Sequence, residues 1–157
     1  MSPASAPGHT VSIEGLDGRA LMLYDGLCGF CNRSVQWVIK RDHADRFRFT
    51  PQQSALAAAL LAQAGIDRES MLAKNSVYLV LNAGSPTQKL LLESDVTVNL
   101  LLLLGGRWRV LSKILKAVPP FLRNAAYRLF ARNRYRLGGR HDECPLPTQA
   151  QQIKFLS

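Results

Sequence analysis

The stretch Ala20-Leu21-Met22-Leu23-Tyr24-Asp25-Gly26-Leu27-Cys28-Gly29-Phe30-Cys31-Asn32 decides the reading of this chain. Its apolar start predicts a strand over 19–24. Asp25-Gly26-Leu27 turns the chain, and a helix follows to about residue 41. Within that helix Cys31, Val35, Val38 and Ile39 recur at helical spacing. Two cysteines separated by two residues, after a strand and at the start of a helix, form the arrangement that dithiol redox chemistry uses. The strand fixes position. The helix N-terminus brings partial positive charge and free N–H groups that stabilise a thiolate. Zinc sites share the spacing, so the flanking strand and helix, rather than the spacing, favour redox.

Further along, residues 45–50 predict a short strand, because Phe47 and Phe49 alternate with Arg46 and Arg48. Pro51 is expected to open the next helix, rich in Ala and Leu over 52–64 and stopped by Gly65. Residues 76–81 and 88–93 predict a hairpin about the turn cluster at 82–86. Ser94 or Asp95 then caps a helix ended by Gly105-Gly106. The order is β-α-β-α-β-β-α, with the first two strands parallel through a helical crossover. That is a thioredoxin-like α/β arrangement, with the cysteines at its usual active-site turn. Two more helices are expected, over 108–118 and 121–134, separated by Pro119-Pro120, with Tyr127, Leu129 and Phe130 as the apolar residues of the second. The expected organisation is a flexible tail over 1–17, a core over 18–104, and a helical extension over 105–157 packed on the same domain.

The chain has 157 residues and 47% hydrophobic composition, which fits one globular domain able to fold without a metal or disulfide staple. Three cysteines do not make a secreted disulfide framework. The N-terminus has no signal-peptide pattern, and the longest apolar run is too short to span a membrane. A cytoplasmic location is the expectation. The net charge is +9 and lies in one region. Residues 96–141 contain ten Lys or Arg and no Asp or Glu, while the rest of the chain holds ten basic and eleven acidic residues. A basic stretch of this kind attracts phosphate, RNA or an anionic membrane. No nucleic-acid motif accompanies it, and Arg128, Arg132, Arg136 and Tyr135 at helical spacing read more simply as a solvated face.

The candidate catalytic residues are Cys28, Cys31 and Asp25. Cys28 precedes the helix and is expected to be the more exposed, hence the attacking thiolate; Cys31 lies partly buried in the first turn and resolves the mixed disulfide. Gly29 permits close backbone approach, and Phe30 offers an apolar contact to a partner. Asp25 either relays a proton to the dithiol or caps N–H groups of its own turn. Trp37 reads as a core residue. Cys144 reads as a buried small residue, as a third redox thiol, or, with Cys28, Cys31 and His141, as part of a zinc set. The alternative to an enzyme is therefore a zinc-binding or basic anion-binding module. No cofactor is expected, and the partner of the dithiol would be a protein or small-molecule disulfide or thiol.

The run Tyr24-Asp25-Gly26-Leu27-Cys28-Gly29-Phe30-Cys31-Asn32 resembles the signature of the DCC family of thiol-disulfide oxidoreductases, a thioredoxin-like group marked by DxxCxxC. The segments Leu104-Gly105-Gly106-Arg107-Trp108, Ala131-Arg132-Asn133-Arg134-Tyr135 and Cys144-Pro145-Leu146-Pro147 resemble its C-terminal pattern. The resemblance covers residues 20–156 and implies a thioredoxin-like fold and dithiol–disulfide exchange. Thioredoxins carry a cis-proline just before the third strand, facing the dithiol. The chain has Ala73-Lys74-Asn75-Ser76 there, and Pro51 is wrongly placed to substitute.

Overall fold

Strand β1, Ala20–Tyr24, is buried along its whole length. A strand buried on both faces belongs in the middle of a covered sheet, and β1 lies second in the order β2-β1-β3-β4. The computed structural model describes residues 16, 18–67, 69–70, 77–83, 85–143 and 145–156. Within them β2 is Phe47–Pro51, β3 Tyr78–Leu81 and β4 Lys89–Leu91. β1 pairs parallel with β2 and antiparallel with β3, and β3 pairs antiparallel with β4. The first helix, α1 (Gly29–Ile39), is the crossover that makes β1 and β2 parallel. Element order and sheet order are those of a thioredoxin-like α/β fold, as expected.

Side chains alternate across the sheet with period two. Ala20, Met22, Tyr24, Phe47, Phe49, Leu79 and Leu91 join one core cluster, shared with Cys28, Cys31, Val35 and Val38 of the dithiol turn and α1 and with Val96, Leu100 and Leu101 of α3 (Ser94–Leu104). Leu21, Leu23, Tyr78 and Val80 face the other way, onto Ala57, Leu60 and Leu61 of α2 (Ala55–Gln63). The dithiol therefore stands on the face that α3 and the C-terminal helices cover.

Three local expectations are corrected. Pro51 does not open α2; it ends β2, opposite Tyr24, and the Gln52 N–H extends the pairing to the Tyr24 carbonyl at 2.7 Å. A strand terminus tolerates proline because no ladder donor is lost there. Ser54 is the cap of α2, its hydroxyl accepting from the Ala57 N–H at 3.1 Å. Glu93, rather than Ser94 or Asp95, is the cap residue of α3, and the Ser94 hydroxyl instead donates to Asn124. The segment Ala73-Lys74-Asn75-Ser76 before β3 lies outside the described residues, as do Cys144 and residues 1–15 and 17 of the tail. No cis peptide bond occurs among the described residues.

Gly105 and Gly106, both at positive φ, turn the chain from α3 into α4 (Gly106–Ala117). The buried Ser112 hydroxyl donates to the Val98 carbonyl at 2.7 Å and pins α4 to α3. Trp108 meets Trp37 edge to face at 4.8 Å. Pro119-Pro120 breaks the helix, and Pro120 begins α5 (Pro120–Gly138), where a missing N–H costs nothing. Tyr127 and Phe130 face inward as expected, but Leu129 is 65% exposed. It lies on the opposite side of the helix from the 127–130–131–134 stripe. A short 3₁₀ turn, Gln149–Lys154, closes the chain onto β2, where the Leu156 N–H reaches the Phe49 carbonyl at 2.8 Å.

Candidate active site

Cys28 is the N-cap of α1, and its own sulfur is the capping group: Sγ accepts from the Cys31 N–H at 3.3 Å. The turn before it is fixed from several sides. Asn32 Nδ2 donates to the Gly26 and Cys28 carbonyls at 2.8 and 2.9 Å. Gln53 accepts from the Gly26 N–H at 3.2 Å and donates to Asp25 Oδ1 at 3.0 Å. Both cysteines are free thiols.

Cys28 is fully buried and Cys31 is 3% exposed, so Cys28 is not the more exposed of the two. The reason is a cover that starts over a hundred residues downstream. The chain after α5 runs across the turn: the Gly29 N–H donates to the Gly139 carbonyl at 3.0 Å, the His141 N–H to the Leu27 carbonyl at 2.7 Å, and Cys28 forms an antiparallel bridge with Arg140. Gly29 has the close-approach role expected of it. A Cβ there would overlap the Gly138 carbonyl, and one on Gly138 would overlap the Phe30 backbone. Phe30 packs edge to face on Phe130 at 4.7 Å.

Asp25 is buried beside the dithiol with four donors on its two oxygens. Oδ1 accepts from the Leu27 N–H and from Gln53, each at 3.0 Å. Oδ2 accepts from Arg134 at 3.0 Å and from the Tyr135 hydroxyl. The other arm of Arg134 lies 3.8 Å from Cys31 Sγ. The Arg134 and Asp25 side chains are only 4% and 7% exposed. The guanidinium thus bridges carboxylate and thiol in an apolar setting, where such interactions are strong.

These contacts set the protonation states. The Cys31 thiol, donating toward Cys28, lowers the Cys28 pKa most. Burial opposes this, and the Cys31 N–H, Arg134 and the Phe30 N–H assist, leaving Cys28 at about 6. Cys31 is pushed strongly up by the same shared hydrogen bond, by burial and by the Cys28 charge. Burial works to raise Asp25, but Tyr135, Leu27, Gln53 and Arg134 together hold it below the ordinary carboxylate range. Burial and the Asp25 hydrogen bond push the Tyr135 hydroxyl up. One sulfur is ionised near neutrality and its neighbour keeps the proton.

A cavity of about 730 Å³ opens beside Cys31, between α1, α3 and α5. Met22, Trp37, Leu100, Phe130 and Ala131 are among its walls, with Arg134 at its inner end and Arg33 at its rim. Its size and apolar lining are those of a small-molecule site. Trp37 therefore packs in the core and faces this space as well.

Of the residues singled out from sequence, Cys28, Cys31 and Asp25 come together. His141 contributes its backbone N–H to the cover, and no group of three or more potential metal ligands is found among the described residues. Arg134, Tyr135 and Gln53 were missed as site residues. Arg134 is one of the ten basic residues of 96–141, and Tyr135 reads from its spacing as part of the solvated face. The available signal was the place of Arg134 on the stripe Tyr127, Phe130, Ala131, Arg134, which is spaced for one helix face.

A dithiol turn at the head of α1, in a thioredoxin-like sheet, is the arrangement that dithiol redox domains use. A family model described as DCC1-like thiol-disulfide oxidoreductase matches residues 22–140, and the chain belongs to that family. It is 32% identical over 136 residues to the uncharacterised protein YuxK of Bacillus subtilis (strain 168), covering 87% of this chain and 93% of that one. It is also 32% identical over 138 residues to a chloroplastic DCC family protein of Arabidopsis thaliana, covering 88% of this chain and 76% of that one. No solved structure matches it. No described helix is long and apolar enough to cross a membrane.

Proposed function

We propose that the protein is a thiol–disulfide oxidoreductase that cycles Cys28 and Cys31. The observation that carries this reading is the Cys28 sulfur acting as N-cap of α1, with Arg134 bridging Cys31 and Asp25 behind it. In the forward direction the Cys28 thiolate attacks one sulfur of a substrate disulfide. A Cys28–substrate disulfide forms, and the other substrate sulfur leaves as a thiolate. Cys28 then carries no charge, so the main cause of the raised Cys31 pKa is gone, and the Arg134 guanidinium favours the Cys31 thiolate. The Cys31 proton passes to the departing thiolate. Cys31 attacks Cys28 Sγ, closes the Cys28–Cys31 disulfide and expels the second substrate thiolate.

Asp25 acts in this scheme by orientation. Each of its two oxygens already accepts two hydrogen bonds, so a donor would have to be displaced before it could take up a proton, and its lowered pKa makes it a poor base. Its part is to hold Arg134 against the sulfurs while ordering the turn through the Leu27 N–H. Residues 105–157 belong to the working unit, since they supply Arg134, Tyr135 and the cover over Cys28. Access to Cys28 needs the two backbone hydrogen bonds of that cover to open locally, a low-cost fluctuation at a chain segment of this kind. The apolar cavity suits a small apolar disulfide, or an apolar side chain of a protein disulfide, approaching along Cys31.

The test is turnover of a model disulfide by the reduced protein. Cys28→Ser should lose exchange, and Cys144→Ser should keep most of it. A wild-type protein that exchanges with no protein or small-molecule disulfide, while remaining folded with both thiols reduced, contradicts the proposal.

A further inference from the structure

The exposed apolar residues are not scattered. Of the ten exposed large hydrophobic side chains among the described residues, Val110, Leu111, Ile114, Phe121 and Leu122 lie on the two sides of the bend between α4 and α5, with Val110, Ile114 and Phe121 at 60%, 59% and 72% exposure. Scattered single exposures are normal, whereas a cluster on adjacent turns marks a contact surface. Val110, Ile114 and Ala117 follow helical spacing down one side of α4, and Phe121 and Leu122 come directly after the Pro119-Pro120 break, in the first turn of α5.

The same helix carries Arg109, Lys113 and Lys116, all exposed. None of the three makes an ion pair among the described residues, in contrast to Arg123 and Arg128 of α5, which pair with Asp95 and Glu93. Helices α4 and α5 contain no acidic residue. An apolar stripe edged by unpaired cations is the pattern of a helix that lies in a bilayer interface, its apolar side chains among the acyl chains and its cations at anionic headgroups.

We infer that the α4–α5 bend is a docking surface for an anionic membrane. Charge decides between the occupants such a surface admits. A second copy of this chain would set two wholly basic helix pairs against each other, which is repulsive at close range. A nucleic acid would satisfy the cations but leave the Val110–Ile114 stripe in water. An anionic bilayer satisfies both. The surface also lies well away from the dithiol: the helix from Phe121 to the α5 end at Gly138 spans roughly 25 Å at the helical rise. Docking would therefore leave the thiols free to react.

Co-sedimentation of the full-length protein with phosphatidylcholine vesicles, with and without phosphatidylglycerol, tests this. Binding about tenfold or more tighter to the anionic vesicles is expected, falling steeply with added salt. Ile114→Ser/Phe121→Ser should weaken binding by about tenfold while leaving disulfide exchange in solution, and its salt dependence, unchanged. Lys113→Glu/Lys116→Glu should abolish the preference for anionic vesicles. Equal binding to both vesicle types, no binding to either, or an apolar double variant that binds as wild type overturns the inference. So does a stable dimer in sedimentation that the same apolar substitutions dissolve, or binding confined to RNA. Because the vesicle readout is independent of thiol turnover, its failure does not touch the redox reading, and a redox failure does not touch it.

Discussion

Asp25 and Asp45 are both carboxylates that gather cations from distant parts of the chain, and they do different things. Asp45 accepts from Arg19 at 3.1 Å, Arg48 at 2.8 Å and Lys154 at 2.6 Å, yet its side chain is 44% exposed. Hydrogen bonds from Arg48 and Lys154 hold its pKa well below the usual range. It ties the C-terminal turn to the start of β2 in water, where each pair contributes about 0–1 kcal/mol. Asp25 has one guanidinium and three neutral donors, but it is buried, and its guanidinium lies 3.8 Å from the Cys31 sulfur. More ion pairs give Asp45 less consequence. Burial and contact with the sulfurs, rather than the number of partners, set the Asp25 cluster apart.

The largest effect that sharpens this contrast is on activity. Cys28→Ser should lower disulfide exchange on the order of a thousandfold or more, measured by turnover of a model disulfide. Asp45→Asn should change it by less than about twofold. Next comes stability. Arg134→Met leaves Asp25 buried without its cation and should cost about 3–5 kcal/mol in denaturant unfolding. Asp25→Leu/Arg134→Met should recover much of that, because both charges go together. A smaller loss is expected of Gly29→Ala, about 1–3 kcal/mol, since the new methyl must displace the Gly138 backbone. It should also speed alkylation of Cys28 by loosening the cover. The smallest is Asp45→Asn, less than about 1 kcal/mol and reduced further by salt. An Asp45→Asn loss as large as that of Arg134→Met would break the comparison.

Much of the sheet was legible because period-two and helical apolar patterns are local. Phe47 and Phe49 announce β2, and the Cys31, Val35, Val38 spacing announces α1. Pro51 was misread because proline suits both a first helical turn and a strand end, and only the pairing with Tyr24 decides between them. That Cys28, Cys31 and Asp25 come together was readable from DxxCxxC. The burial of Cys28 was not, because it depends on a backbone segment over a hundred residues later. Arg134 was hidden for a related reason: composition counts its charge with Arg128 and Arg132, while only the packing of α5 against α1 turns it inward.

The pH dependence follows from the same geometry. A thiol whose pKa is depressed in the folded protein is ionised above that value and regains its proton as pH falls through it. Exchange by Cys28 should therefore rise with pH through about 6 and level off by neutrality. Arg134→Met removes one of the stabilising charges and should move this rise upward. Asp45→Asn should leave it in place. The most direct test is the thiolate ultraviolet absorbance of the reduced protein against pH, with Cys28→Ser as the blank. The account predicts a Cys28 midpoint near 6. A midpoint in the ordinary range near 8.5, unmoved by Arg134→Met, would contradict it.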